Sequence, residues 1–141
     1  MARIHNWISN LIKNMDEGLN EKEKREVLEN TGRKCITTSM IKKAKKLFSE
    51  SQNLEEFLKE YTKINSHFQE VKGEYFMVYP HCYCSFVNKH PNLSELSPTY
   101  CYCSVGWVKE LFEKATDIEV KVDLLHSVVS GADECRFKIQ F

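Results

Sequence analysis

The sequence predicts an α+β domain, with N-terminal helices packed on an antiparallel β-sheet and one further helix after the second of two cysteine pairs. Three observations predict it. Apolar residues recur at helical spacing through the first half. Strand-like runs punctuated by turn residues fill most of the second half. The closing segment alternates, placing Cys135, Phe137, Ile139 and Phe141 on one face. No linker or low-complexity segment divides the chain, so residues 1–141 read as a single domain. Residues 1–67 form its helical part and residues 68–141 its cysteine-bearing sheet part.

Ile4, Trp7, Ile8, Leu11, Ile12 and Met15 make the apolar stripe of a first helix that Gly18 ends. A strongly charged second helix runs from about Asn20 to Asn30, with Gly32 as its stop. A third carries Met40, Ile41, Ala44, Leu47 and Phe48. Asn53 with Glu56 three residues on has the form of a capping box, opening a fourth helix through Phe57, Leu58, Tyr61 and Ile64. Phe68–Val71, the turn Lys72-Gly73 and Glu74–Tyr79 read as a β-hairpin continuing through the first cysteine pair. Residues 88–98 form a loop. Ser104 is placed to cap a helix from Val105 to about Lys114. A strand within Ile118–Val129, a turn at Gly131–Glu134 and the alternating end complete an antiparallel pairing.

The composition excludes several functions. With 141 residues the chain is long enough to bury a core without disulfides. Its formal net charge is zero, which argues against a general nucleic-acid binder. No apolar run approaches the roughly 20 residues of a membrane span. Met1–Trp7 lacks the features of a secretion signal, so a cytoplasmic address is expected. There, cysteines serve as thiols or metal ligands more often than as structural disulfides.

The chemistry is concentrated in Cys82-Tyr83-Cys84-Ser85 and Cys101-Tyr102-Cys103-Ser104, with 16 residues between Cys84 and Cys101. On a strand, Cys82 and Cys84 would share a face. Cys101 and Cys103 would stand before a helix N-terminus, whose amides favour a thiolate, on Cys103 above all. Cys82, Cys84, Cys101 and Cys103 together suit a soft tetrahedral ion, zinc first. The spacing is tighter than common zinc knuckles and matches neither common ferredoxin pattern, which disfavours an iron–sulfur cluster. The plain alternative is packing, because free cysteines are among the most buried residues. Core packing is the better reading of Cys135, and Cys35 stands alone after two basic residues.

His81 adjoins Cys82 and is the candidate base beside a Cys101 or Cys103 nucleophile. His5 and His67 read as surface positions, His90 as a solvated loop residue and His126 as a sheet histidine. Glu110 and Lys114 have the order of a surface ion pair. Lys42, Lys43, Lys45 and Lys46 read as a solvated face. Tyr83, Tyr102 and Trp107 are candidates to line a pocket for a small apolar or planar ligand.

The stretches Tyr100–Trp107, Val120–Ser127 and Gly131–Ile139 resemble a bacterial family of uncharacterised cysteine-rich proteins. That family is similar to aminothiazoline-carboxylate hydrolase-like proteins and, more distantly, to the 4-vinyl reductase domain, an α+β small-ligand module. The resemblance covers about Tyr75 to Phe141. It implies a small-molecule ligand, singles out all six cysteines, and implies that a further cysteine often stands at the position of Thr31. Cys103-Ser104 occupies the place where the hydrolase-like proteins carry an Asp. The expected function is a small-ligand or metal-binding domain in a sensory or accessory role. A small-molecule hydrolase using a cysteine thiolate or thiolate-bound metal, and a thiol redox sensor bridging one pair to the other, are the alternatives. Neither nucleic acid nor membrane is expected as a partner, and a homodimer is left open.

Overall fold

Four helices precede the first strand: α1 (Ala2–Gly18), α2 (Glu21–Gly32), α3 (Thr38–Glu50) and α4 (Leu54–Ile64). This computed structural model describes residues 2–141, apart from the side chain of Ala2. Both short, charged helices are capped as their sequences demand. Asn20 accepts from the Glu23 amide at 2.9 Å while Glu23 accepts from the Asn20 amide at 3.1 Å, a reciprocal box. Asn53 accepts from the Glu56 amide at 2.8 Å, but the Glu56 carboxylate reaches the amide of Gln52 instead of that of Asn53.

The second half sets two helices between two pairs of strands: β1 (Phe68–Val71), β2 (Glu74–Tyr79), α5 (Ser85–Asn88), α6 (Tyr102–Thr116), β3 (Lys121–His126) and β4 (Cys135–Gln140). All pairings are antiparallel, in the order β1-β2-β4-β3. Lys72 and Gly73 join β1 to β2 at φ 52° and 80°. Positive φ at both positions is what a two-residue hairpin needs to match the strand twist. The pairing of β3 with β4 carries a register shift between Leu124 and His126.

One face of the sheet builds the core. Met77 lies opposite Phe137, and Tyr75 opposite Ile139. Over them lies α6, whose Val105, Val108, Leu111, Phe112 and Ala115 are buried. Phe57 and Tyr61 of α4 and Ala44 of α3 close the same cluster. On the other face, the Arg136 guanidinium lies 5.3 Å from the centre of the Phe76 ring.

Against α6 the second helix comes unusually close. A Cβ on Gly32 would lie 1.7 Å from the Cys103 carbonyl oxygen, and one on Gly106 would lie 1.9 Å from that of Glu29. Gly32 is therefore the last residue of α2 for reasons of packing, and the chain continues through Arg33 in right-handed helical geometry. Three ion pairs staple this contact, Lys109 to Glu29 and Arg33 to both Glu110 and Glu113. Glu110 thus pairs across the helices with Arg33, where the spacing predicts Lys114.

Other expectations need correction. Strand β2 stops at Tyr79, because Pro80 has no amide to donate to the ladder. The first cysteine pair is therefore on no strand. Helix α6 begins at Tyr102 and is led in by a 3₁₀ turn over Pro98–Cys101, so Ser104 lies inside its first turn and caps nothing. The strand predicted within Ile118–Val129 is ordered only over Lys121–His126, and the chain turns back from Ser127 through hydrogen bonds of Ser130, Gly131 and Ala132.

Helix α1 buries only part of its apolar stripe, together with polar residues beside it. His5 is 1% exposed and Ser9, Ile12 and Met15 are buried with it, while Trp7 is 64% exposed. The cause is the 85–92 segment. Phe86 stacks on the His5 ring at 4.7 Å, the His5 Nε2–H donates to the Phe86 carbonyl, and His90 meets Ser9 at 2.9 Å. His90 is consequently pinned. The Asn92 amide donates to its Nδ1, so Nε2 carries the proton and donates to Ser9. That tautomer is the wrong one for taking a proton from the serine, so the Ser9–His90 pair is a structural tie between α1 and the loop.

Candidate functional site

Three elements bring the cysteines to one region, and they do so in unexpected combinations. Cys101 and Cys103 lie at the start of a helix, where residues two apart point roughly 200° from each other. Cys103 turns toward Cys35, which follows α2, and the thiols of these two residues interact. Cys101 turns the other way, toward Cys135, Ser127 and the backbone of Val129. The turn after Pro80 brings Cys82 back to Cys135, and the thiols of these two residues interact. Cys135 lies opposite Tyr79 in the sheet, three residues before Cys82, and its sulfur also accepts from the Val128 amide at 3.4 Å. Cys84 stands between the two groups, its sulfur 3.4 Å from the Tyr100 hydroxyl.

These thiols border a cavity of about 920 Å³, at the upper end of the range of small-molecule sites. Five of the six cysteines line it: Cys35, Cys82, Cys84, Cys103 and Cys135. Cys101 lies buried behind them. Of the aromatic residues singled out by the sequence, Tyr83 and Trp107 line the cavity. Tyr102 does not; its ring lies under the Arg25 guanidinium at 4.7 Å. His81 is exposed, stacks on Tyr83 at 4.3 Å, and lies outside the lining.

His67 takes its place. Predicted at the surface, it is half-buried in the cavity wall between the rings of Tyr79 and Tyr83. The Val78 carbonyl accepts from its Nδ1–H at 3.2 Å, so in the neutral ring Nε2 carries the lone pair. The readable signal was its position just before β1, opposite the strand that leads into Cys82.

Burial governs the electrostatics. It pushes the Cys101 thiol up to about 11, against hydrogen bonds from Ser127 and Val129 that favour the thiolate. Burial also raises Cys103, to about 12, with the neighbouring Cys35 and Cys84 adding to it. The helix N-terminus predicted to lower these two is outweighed. The interaction of the Cys82 and Cys135 thiols raises Cys82, with burial adding to it, and lowers Cys135 against burial. Burial holds the Tyr79 and Tyr100 phenols protonated well beyond neutral pH.

As arranged, the thiols meet in twos. Among the described residues no three His, Cys, Asp or Glu side chains converge in a way that could hold a metal ion. Cys101 and Cys103 diverge on α6, Cys101 toward Cys135 and Cys103 toward Cys35. No helix among the described residues is long and apolar enough to cross a membrane.

No curated protein and no solved structure matches this chain. A family model does, over residues 2–141, a match that spans both the helical half and the cysteine-bearing half. With its six cysteines gathered about one cavity, the chain belongs to DUF6144, a family of unknown function.

Proposed function

We propose that this protein binds a small, largely apolar or planar molecule in the cysteine-walled cavity and acts in a sensory or accessory role. The observation that carries the reading is the cavity itself: about 920 Å³, walled by rings such as Tyr83, Phe86 and Trp107 and by five thiols. Aromatic walls supply apolar contact, and the few polar groups supply orientation. Among those groups are the free Nε2 of His67, the Tyr100 hydroxyl and the Lys43 ammonium. The resemblance to aminothiazoline-carboxylate hydrolase-like proteins and to a small-ligand module points the same way. A hydrolytic reaction has less support, since His81, the candidate base, lies outside the lining. Zinc held by Cys82, Cys84, Cys101 and Cys103 would need those sulfurs drawn together.

The test uses the two tryptophans. In a Trp7→Phe variant, Trp107 is the sole tryptophan and reports on the cavity wall. Titration of reduced protein with the apolar dye anilinonaphthalene sulfonate should give saturable binding with transfer from Trp107. Ser104→Phe, which fills the wall from the first turn of α6, should weaken binding at least tenfold with unchanged far-UV dichroism. Absence of saturable binding overturns the reading. Stoichiometric zinc in anaerobically purified protein would replace it with the metal-binding one.

A further inference from the structure

The six cysteines fall into groups that their positions in sequence conceal. Cys35 reaches Cys103 because Gly32, three residues earlier, lets α2 touch the backbone of Cys103. Cys82 reaches Cys135 because β2 and β4 are in register at Tyr79 and Cys135, and the chain bends back after Pro80. Each contact is produced by an independent piece of the fold. Each joins one member of a Cys-Tyr-Cys motif to a cysteine far away in sequence. All four of these residues line the cavity.

We infer that Cys82–Cys135 and Cys35–Cys103 are two thiol–disulfide couples, and that their substrate is a low-molecular-weight disulfide admitted by the cavity. The inference rests on the cavity being open to small molecules, as the proposed function requires. One thiolate of a couple attacks a sulfur of the bound disulfide, forming a mixed disulfide and expelling one small thiolate, which takes up a proton. The partner thiol, after losing its own proton, attacks the protein sulfur of that mixed disulfide. The protein disulfide closes and a second small thiol leaves. The small disulfide gains two electrons and the couple loses two, so no further oxidant is needed. Cys135 is only 8% exposed, which restricts its couple to oxidants small enough to enter. Bridging within Cys101-Tyr102-Cys103 is disfavoured because two-residue spacing at the start of α6 separates the sulfurs, and within Cys82-Tyr83-Cys84 because a bridge between residues two apart strains the disulfide.

Anaerobically reduced protein is titrated with hydroxyethyl disulfide, remaining thiols are blocked, and peptides are mapped without reduction. The expected products are cross-linked peptides containing Cys82–Cys135 and Cys35–Cys103, with two mercaptoethanol molecules released per bridge. In Cys82→Ser, Cys135 should keep one mercaptoethanol as a stable adduct while Cys35–Cys103 still closes, and Cys35→Ser should show the converse. Bridges within a Cys-Tyr-Cys motif, bridges joining the two motifs, or adducts that never resolve in the wild type overturn the assignment. Dye titration of the same reduced sample separates the two readings. Dye binding without bridges overturns the couples alone. Bridges without dye binding overturn the apolar-ligand reading alone, and the absence of both overturns both.

Discussion

Asp16 shows how much one side chain can hold at a junction of sequence-distant parts. Its carboxylate accepts from the hydroxyls of Ser97 and Thr99, each at 2.6 Å, and from Lys24 at 3.2 Å. Burial alone would raise its pKa, but the three donors outweigh burial and hold the carboxyl below its ordinary value. Asp16→Asn keeps the shape and removes the charge. Hydrogen bonds to charged groups are worth about 1.5–3 kcal/mol when buried, so a loss of about 1–2 kcal/mol is expected at this partly exposed site. The folded-state pKa is depressed, so the contribution is fully present above the unfolded value of 3.8 and is lost as pH falls through the folded value. Urea denaturation of both proteins should show a gap at neutral pH that closes as the acid limit is approached. A gap independent of pH would mean that the charge is not what matters.

Among the elements, the contact of α2 with α6 is decided by backbone proximity. Adding one methyl at Gly106 places it 1.9 Å from the Glu29 carbonyl oxygen, a clash with backbone that no rotamer can relieve. Gly106→Ala should therefore cost at least the upper end of the overpacking range, about 3 kcal/mol, although alanine is the better helix former. Chemical denaturation checks this. Stability equal to or above the wild type would mean that the helices sit farther apart than the structure has them. The same contact carries Cys35 to Cys103, so stability and the thiol arrangement are linked through two glycines. Composition cannot reveal this, because a glycine near a helix end reads first as a stop signal.

For the whole molecule, α6 is the axis on which both halves are built. Phe112 is fully buried, and its ring meets those of Tyr61, Phe68 and Phe141, joining α4, β1 and the end of the chain. Phe112→Ala should cost about 3–5 kcal/mol, enough to threaten folding of a domain with ordinary stability. A loss in the melting midpoint shared by far-UV and near-UV dichroism would show the two halves unfolding together. Separate transitions would show that the helical half stands apart from the sheet.

The sequence alone determined the order and kind of nearly every element, because helical and alternating periodicities, caps and the Lys72-Gly73 turn are local signals that the folded chain obeys. It also singled out Cys82, Cys84, Cys101 and Cys103, which lie at or beside one cavity. It did not specify which sulfurs face each other, because Cys-x-Cys has no fixed meaning. On a strand the two sulfurs converge, on a helix they diverge, and Pro80 and the 3₁₀ turn at Pro98–Cys101 settle which applies. The burial of His5 and His67 depends on rings more than ten residues away, which no periodicity reports. Only the tertiary structure joins Cys35 to Cys103 and Cys82 to Cys135. Each contact is set by a backbone approach between distant segments, through Gly32 in one case and the register of β2 with β4 in the other.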